Sequence, residues 1–171
     1  KPLLEDKYMG WATGKIFFPL LKTTVPDLLD YHMPENAGFH NLIFGKMQPL
    51  YKGHAKQFMH AFWGAGQMSF VKHAIFVDDK APKLDNYEAL TNYILNRFTP
   101  KSMFITEGIL DALDHSSPET LVGGKLGIDA TLSCTPYDRG ITNPEGIASW
   151  AESNAVCFSN TWTSLITHRE S

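Results

Sequence analysis

Apolar residues recur along most of the chain with helical spacing, which predicts three helices. Over residues 3–21 they fall three or four positions apart, and the helix is expected to end near Pro19. The same spacing over residues 52–70 predicts the strongest helix of the chain. A third helix is expected to begin after Asp85 as its capping residue and to end at Thr99.

Short apolar runs between and after these helices predict strands at residues 39–44, 73–77 and 103–106. The run at 73–77 is apolar without alternation, which suits a strand buried on both faces. Residues 25–34 read as a partly extended connector, and the glycines of residues 123–127 as a flexible loop. The order of strands and helices predicts an α/β layered sandwich, with a mixed, partly parallel sheet flanked by helices.

The regular pattern fades before the end of the chain, which suggests two parts. Residues 1–131 are expected to form one α/β domain with an N-terminal lead-in helix. Residues 132–171 are polar and interrupted by proline and glycine, so we expect a tail with little structure of its own. The chain starts with Lys1 rather than Met, so we expect either that a segment was removed or that the chain is part of a longer protein.

Composition excludes several classes of protein. The sequence is 43% apolar and 19% charged, so a folded core is expected. Its net charge of -3 argues against a nucleic-acid partner. The sequence has neither an apolar run long enough to span a membrane nor a visible secretory signal. Its 2 cysteines are too few for a disulfide scaffold, and we expect a cytoplasmic protein.

Two acidic clusters are candidates for metal binding or acid–base chemistry. Asp78 and Asp79 follow a predicted central strand, where two carboxylates could hold Mg²⁺. Asp111, Asp114 and His115 lie close enough in sequence to hold a metal or to act as acid and base. The favoured interpretation of both clusters is an ordinary turn or helix cap.

Glycines mark two further places of interest. Gly64 and Gly66 lie inside the predicted helix over 52–70, where they permit close approach of either a sheet or a ligand, and a sheet is favoured. Residues 123–125 (Gly-Gly-Lys) could cradle a phosphate, but they lack the remaining residues of a P-loop. The residues by themselves therefore predict an α/β domain without a self-contained catalytic group.

Several stretches, in order, resemble the C-terminal part of the UbiD-family decarboxylases. They are residues 63–68 (Trp-Gly-Ala-Gly-Gln-Met) and residues 113–118 leading into the Gly-Gly-Lys-Leu-Gly-Ile-Asp-Ala-Thr of 123–131. Residues 26–34 and 51–56 fit as well, so the resemblance spans about 5–131, roughly three quarters of the chain. The form of residues 63–68 resembles the branch assigned to menaquinone biosynthesis.

The resemblance implies non-oxidative decarboxylation of an aromatic or unsaturated acid. The family uses prenylated FMN together with a divalent metal (Mn or Mg) and potassium, and the cofactor carries the difficult chemistry. The family's catalytic Glu-Arg-Glu set and metal ligands lie in a preceding flavin-binding domain. No catalytic residue and no metal ligand is therefore assigned here, and this chain alone is expected to be inactive and to bind no cofactor. The implied partners are that missing domain and, in a homo-oligomer, further copies.

The resemblance also points to four residues of the site wall. Gln67 and Lys72 correspond to a junction that lies near the cofactor phosphate, where amide and basic side chains suit an anion. Ile109 and Leu110 correspond to the wall of the substrate pocket, where apolar side chains suit a flat ring. Each of the four could equally serve only the core or the surface.

Two functions of other classes stay open. The chain could be a stand-alone module that binds a small molecule such as a flavin phosphate. It could also be a structural assembly domain, held together by exposed apolar surface.

Overall fold

A computed structural model describes residues 4–38, 41–112, 114 and 116–131, and all of these belong to one compact unit. The predicted tail, residues 132–171, lies outside the described residues, as does His115. In the described part, no helix is long and apolar enough to cross a membrane.

The described residues form one five-stranded mixed sheet with helices on both faces, which confirms the predicted fold class. The strands lie in the order β1-β2-β3-β5-β4. The three central strands, β2, β3 and β5, run parallel, and both edge strands pair antiparallel with their neighbours. The strands are β1 (Leu28–His32), β2 (Leu42–Met47), β3 (His73–Val77), β4 (Met103–Ile109) and β5 (Val122–Ala130).

In the described ranges, one α-helix precedes the first strand, and two α-helices and three short 3₁₀ turns lie between the strands. The helices are α1 (Leu4–Thr24), α2 (His54–Trp63) and α3 (Tyr87–Leu95), and the 3₁₀ turns are Glu35–Ala37, Gly66–Phe70 and Pro100–Ser102. Helix α2 connects the parallel strands β2 and β3, the arrangement expected of a βαβ unit.

The first helix is longer than predicted, because it continues through Pro19 to Thr24. Proline removes one helical hydrogen bond and usually bends or ends a helix. Here the following turn is stabilised by packing, since Leu21 and Val25 are buried in the core. Most of the predicted apolar stripe of α1 is exposed instead, including Trp11 and Ile16.

The second helix is shorter than predicted. It ends at Trp63, and a glycine with a φ of 53° follows at Gly66. A Cβ at Gly66 would meet nothing within 4 Å, so this glycine is needed for its left-handed backbone and not for the predicted close approach. The cap of the third helix was also predicted wrongly: Asn86, not Asp85, accepts the bond from Ala89 N, at 3.3 Å.

The glycine-rich segment 123–127 was predicted to be a loop and is instead the middle of strand β5. Two of its three glycines, Gly123 and Gly127, occur where neighbouring side chains approach closely. A Cβ on Gly123 would lie 2.5 Å from Leu110 Cδ1, and one on Gly127 would lie closer than 3.0 Å to Met59 Sδ. Missing side chains therefore let a central strand fit against α2 and the 110–122 loop.

The core lies between α2 and one face of the sheet. Phe62 of α2 packs edge-on against Phe76 of β3, with ring centroids 6.0 Å apart. Alternate residues of a strand point to opposite faces of the sheet. Ile43 therefore belongs to the core on the α2 side, whereas Phe44 contacts Tyr87 of α3 on the other face. The prediction that β3 is buried on both faces is confirmed, since residues 74–77 are all buried.

Candidate functional site

The turn between α2 and β3 carries two of the four predicted site residues, Gln67 and Lys72. After α2 ends, the chain makes the 3₁₀ turn Gly66–Phe70 and enters β3 at His73. Ser69 Oγ donates to Gly66 O at 2.6 Å and tightens this turn. Lys72 is thereby placed immediately before a central strand of the sheet.

The ammonium of Lys72 is held by two partners from the loop that follows β4. Its Nζ lies 2.8 Å from Asp114 Oδ2 and donates to Ser116 Oγ at 2.7 Å. Ser116 fixes the carboxylate in turn, because its N–H and hydroxyl both donate to Asp114 Oδ1, at 3.0 and 2.5 Å. The side chains of Lys72 and Asp114 are only 18% and 10% exposed, so this ion pair is largely shielded from water.

The electrostatics of the pair follow from these contacts. The hydrogen bond from Lys72, and then the one from the Ser116 hydroxyl, hold the pKa of Asp114 well below its usual range. Asp114 is therefore a permanent anion at neutral pH and not a proton donor. A carboxylate of this kind is a weak acid–base catalyst, so its contacts support the alternative interpretation, a turn.

A cavity of about 330 Å³ adjoins this ion pair. Lys72, Leu110 and Ser116 line one part of it, and the Gly123–Gly124 backbone lines another. Ser117 closes the loop around the cavity by donating its hydroxyl proton to Val122 O. Further lining residues are Glu107, Pro118, Glu119 and Val122.

A second lysine, which sequence reasoning did not single out as a site residue of its own, lies behind the turn. Lys125 of β5 is 4% exposed, and its Nζ donates to Ser69 O at 2.6 Å and to Val71 O at 2.8 Å. Burial, and then the nearby charge of Lys72, lower its pKa to about 8. A strand assignment for residues 122–130 would have revealed it, because Lys125 then points inward.

The structure brings together two of the four predicted residues. Lys72 and Leu110 line the 330 Å³ cavity. Gln67 and Ile109 do not line it: Gln67 is exposed on the 3₁₀ turn, and Ile109 is 55% exposed at the end of β4. The roles of all four in binding stay predictions.

Asp78 makes the contacts of a turn anchor. It accepts hydrogen bonds from the Tyr93 hydroxyl and from Lys80 N. Burial, and then the bond to Asp78, raise the pKa of Tyr93 to about 12, so the phenol stays protonated and donates. In the described ranges, no three His, Cys, Asp or Glu side chains are grouped as a metal site would require.

A larger cavity of about 780 Å³ lies along α1 and β1. Two of its lysines are already paired, Lys7 with Glu35 at 2.6 Å and Lys15 with Asp30 at 3.5 Å. Lys46, Lys83 and Asp85 also line this cavity, so its charged side chains do not fully neutralise one another and leave a small positive excess. The smaller cavity is the candidate site because two of the predicted site residues, Lys72 and Leu110, line it.

Comparison with known proteins identifies the family. A family model described as the 3-octaprenyl-4-hydroxybenzoate carboxy-lyase C-terminal domain matches residues 7–130. The chain belongs to this UbiD C-terminal domain family. The resemblance predicted from the sequence is therefore confirmed for the family, while its menaquinone branch stays a prediction.

Curated relatives of this UbiD domain are longer proteins. An uncharacterized protein of Helicobacter pylori (strain J99) is 60% identical over 138 residues, which are 80% of this chain and 22% of that protein. One from Aquifex aeolicus (strain VF5) is 41% identical over 131 residues, which are 77% of this chain and 27% of that protein. The chain therefore spans about a quarter of these relatives or less.

Solved structures share the fold of this UbiD domain. The UbiD-class enzyme HmfF from Pelotomaculum thermopropionicum, in complex with FMN, superposes with a TM-score of 0.63 at 24% identity, covering 79% of this chain and 31% of that one. The open form of vanillic acid decarboxylase from Sedimentibacter hydroxybenzoicus gives a TM-score of 0.60 at 22% identity, covering 82% and 31%.

Proposed function

We propose that this UbiD domain is the C-terminal part of a carboxy-lyase that removes CO₂ from an aromatic or unsaturated acid without net oxidation. Quinone biosynthesis of the menaquinone type is the proposed pathway. The observation that carries the proposal is the Lys72 ammonium, fixed by Asp114 and Ser116 beside a cavity in a chain of this family. Alone, the domain is proposed to be inactive and to complete one wall of the site.

The residues around Lys72 suit the phosphate of prenylated FMN. The Lys72 ammonium can donate a charged hydrogen bond to a phosphate oxygen, whereas the net charge of the surrounding groups, which include Asp114, is not positive. The carboxylates of Glu107 and Glu119 line the cavity itself and disfavour an anion inside it. The phosphate is therefore expected against the Lys72 side of the rim, with Gln67 as a second donor from the exposed 3₁₀ turn.

The bound flavin would supply an electron sink for the carboxylate carbon. This chain's own residues would bind and orient. Lys72 would hold the anion, and Leu110, which is buried in the cavity wall, would exclude water from an apolar side. Ile109 presents an exposed apolar surface at the end of β4, which suits contact with a flat ring or with a neighbouring domain.

The remaining parts of the proposal concern the whole protein. A preceding flavin-binding domain would carry the catalytic Glu-Arg-Glu set and the ligands for Mn or Mg and for potassium. The longer protein is proposed to be a cytoplasmic homo-oligomer. Within this chain, residues 1–131 are proposed as the domain and 132–171 as its tail; the match to residues 7–130 supports this boundary.

The alternatives predict different behaviour of the 171-residue chain on its own. A stand-alone binding module should bind FMN saturably, as measured by calorimetry. A structural assembly domain should form an oligomer without any ligand, as measured by light scattering. The carboxy-lyase proposal expects no turnover of aromatic acids by this chain, even when prenylated FMN and metal are added.

The decisive experiment reads the coding DNA upstream of Lys1 and expresses the longer frame. The longer protein should decarboxylate an aromatic acid, and Lys72→Met should weaken cofactor binding about 10- to 100-fold because a charged hydrogen bond is lost. Lys101→Met is the matched control, since Lys101 is exposed in another turn. Turnover by the short chain alone, or equal effects of the two substitutions, would contradict the proposal.

A further inference from the structure

We propose that Lys125 is a positioning residue, which fixes the turn between α2 and β3 and thereby sets where the Lys72 ammonium lies. The inference rests on the proposed function, because it assigns Lys125 to the same site. It concerns the geometry of the free protein, however, and can be tested without any cofactor.

The first support is the way in which Lys125 is buried. A lysine with 4% exposure normally needs a carboxylate partner, because an isolated ammonium is costly to remove from water. In the described part of the chain, the Lys125 ammonium donates to two main-chain carbonyls, those of Ser69 and Val71. It also lies 5.8 Å over the ring of Trp63. A methionine would fill this space with less desolvation, so core packing alone does not explain a lysine here.

The second support is the position of the two carbonyls, which belong to the backbone just before Lys72. Ser69 lies within the last part of the 3₁₀ turn Gly66–Phe70, and Val71 directly precedes Lys72. Val71 O accepts a second bond from Trp63 Nε1 at 2.9 Å, and Lys72 O accepts from Leu126 N at 2.8 Å. The backbone on both sides of the Lys72 side chain is therefore held by hydrogen bonds from Lys125 and Leu126 of β5 and from Trp63 of α2.

The third support is the close packing of the aliphatic part of the Lys125 side chain, its stem, against β4. The stem crosses β4 at Gly108, where an added Cβ would lie 2.6 Å from Lys125 Cε and 3.2 Å from Lys125 Cδ. Gly108 has an ordinary strand conformation, so the need for glycine here is steric. Gly108→Ala thus displaces the stem without removing the charge and offers an independent perturbation of the same contact.

The charges around the two lysines support the same conclusion. The ammonium groups of Lys72 and Lys125 repel each other, and Asp114 attracts Lys72 from the 110–122 loop. With the backbone of the turn fixed by Lys125, the Lys72 side chain reaches Asp114 at 2.8 Å. Without the bonds from Lys125, the turn that precedes Lys72 would be less restrained, and an anion site built on Lys72 would be less well defined.

Hydrogen exchange of the full 171-residue chain, followed by NMR, tests the proposal. The reporters are the amides of Met68 and Val71, which bond to Ala65 O and Met68 O within the turn. Lys125→Met should speed their exchange about 10- to 100-fold, as expected from the loss of charged hydrogen bonds, and should shift the Lys72 Cε resonance. The amides of the central strand β3 should change much less.

Three further variants make the test selective. Lys125→Arg, which can still donate to both carbonyls, should restore a large part of the protection. Gly108→Ala should loosen the turn in the same direction by a smaller factor, and it also serves if Lys125→Met does not fold. Lys52→Met, an exposed lysine before α2, is the control and should leave the turn unchanged.

The proposal is overturned if Lys125→Met leaves the turn amides within twofold of the wild type. It is also overturned if exchange rises by one factor throughout the domain, because that would show only a loss of global stability. A failure of the proposed function would give a different result. In that case Lys72→Met would leave cofactor binding by the longer protein unchanged, while Lys125→Met would still speed exchange of the turn amides.

Discussion

Replacing Gly127 with alanine should destabilise the domain by forcing α2 away from β5. An added Cβ at Gly127 would lie closer than 3.0 Å to Met59 Sδ, 3.0 Å from Met59 Cε and 3.2 Å from Met59 Cγ. Met59 is fully buried, so its sulfur cannot move into solvent. Overpacking of this kind costs about 1–3 kcal/mol of the free energy of unfolding.

The matched control is Gly124→Ala on the same strand. A Cβ at Gly124 meets nothing within 4 Å, and the residue is exposed. This substitution should be neutral or should stabilise the domain by up to about 1 kcal/mol, because alanine has fewer unfolded conformations than glycine. Urea unfolding of both variants, monitored by fluorescence, measures the difference.

A double-mutant cycle identifies the contact itself. Met59→Ala alone should cost about 2–5 kcal/mol, since it leaves a cavity in the core. In combination with Gly127→Ala, the total cost should be smaller than the sum by about 1 kcal/mol or more, because the new methyl group partly fills the space that Met59 leaves. Additive costs, or a Gly127→Ala variant as stable as Gly124→Ala, would refute the reasoning.

Two further predictions concern pH. The pKa of Asp114 is depressed in the folded state, so the carboxylate stabilises the fold above its ordinary pKa of 3.8, and this stabilisation is lost as the pH falls toward the folded pKa. Asp114→Asn should therefore be less stable than wild type at neutral pH, and urea unfolding should show the difference in stability shrinking below about pH 4. A difference that stays constant with pH would contradict the assignment. The pKa of Lys125 is lowered from 10.5 to about 8, so the unfolded chain binds more protons than the folded chain between these pH values. As the pH rises through this window, the free energy of unfolding of wild type should increase by about 1–3 kcal/mol relative to that of Lys125→Met. If the free energies of unfolding of the two proteins change in parallel with pH, the result would count against a buried ammonium.

The regular parts of the fold were predictable because their patterns report burial directly. Residues 73–77 form an unbroken apolar run, and the structure makes them the central strand β3. Leu90 and Ile94 have helical spacing, and both are buried on α3. In each case the apolar positions of one local element sufficed to predict its structure.

The errors arose where glycine or proline was interpreted by local propensity alone. The glycines of residues 123–127 favour a loop by local propensity. In the structure, Gly123 and Gly127 instead leave space for Leu110 and Met59, a requirement that only the tertiary arrangement reveals. Proline at position 19 was expected to end α1, but burial of the next turn outweighs the lost hydrogen bond.

The candidate site was only partly predictable for a related reason. Lys72 was identified from the family resemblance, but its partners Asp114 and Ser116 are more than 40 positions away in sequence. Lys125 was seen only as part of a glycine loop, since its inward orientation depends on the strand assignment. Contacts of this kind follow from the order of strands in the sheet, which local patterns do not encode.

The strand order has a consequence for synthesis of the protein. β5 is the last described strand, yet it lies between β3 and β4, which do not pair with each other. While the chain is still emerging from the ribosome, β3 therefore exposes an open edge and β4 has no neighbour until residues 122–130 are available. A nascent chain that stalls before Val122 would thus present two unpaired strands to the cell, and chaperones that bind exposed strands should recognise it until translation resumes.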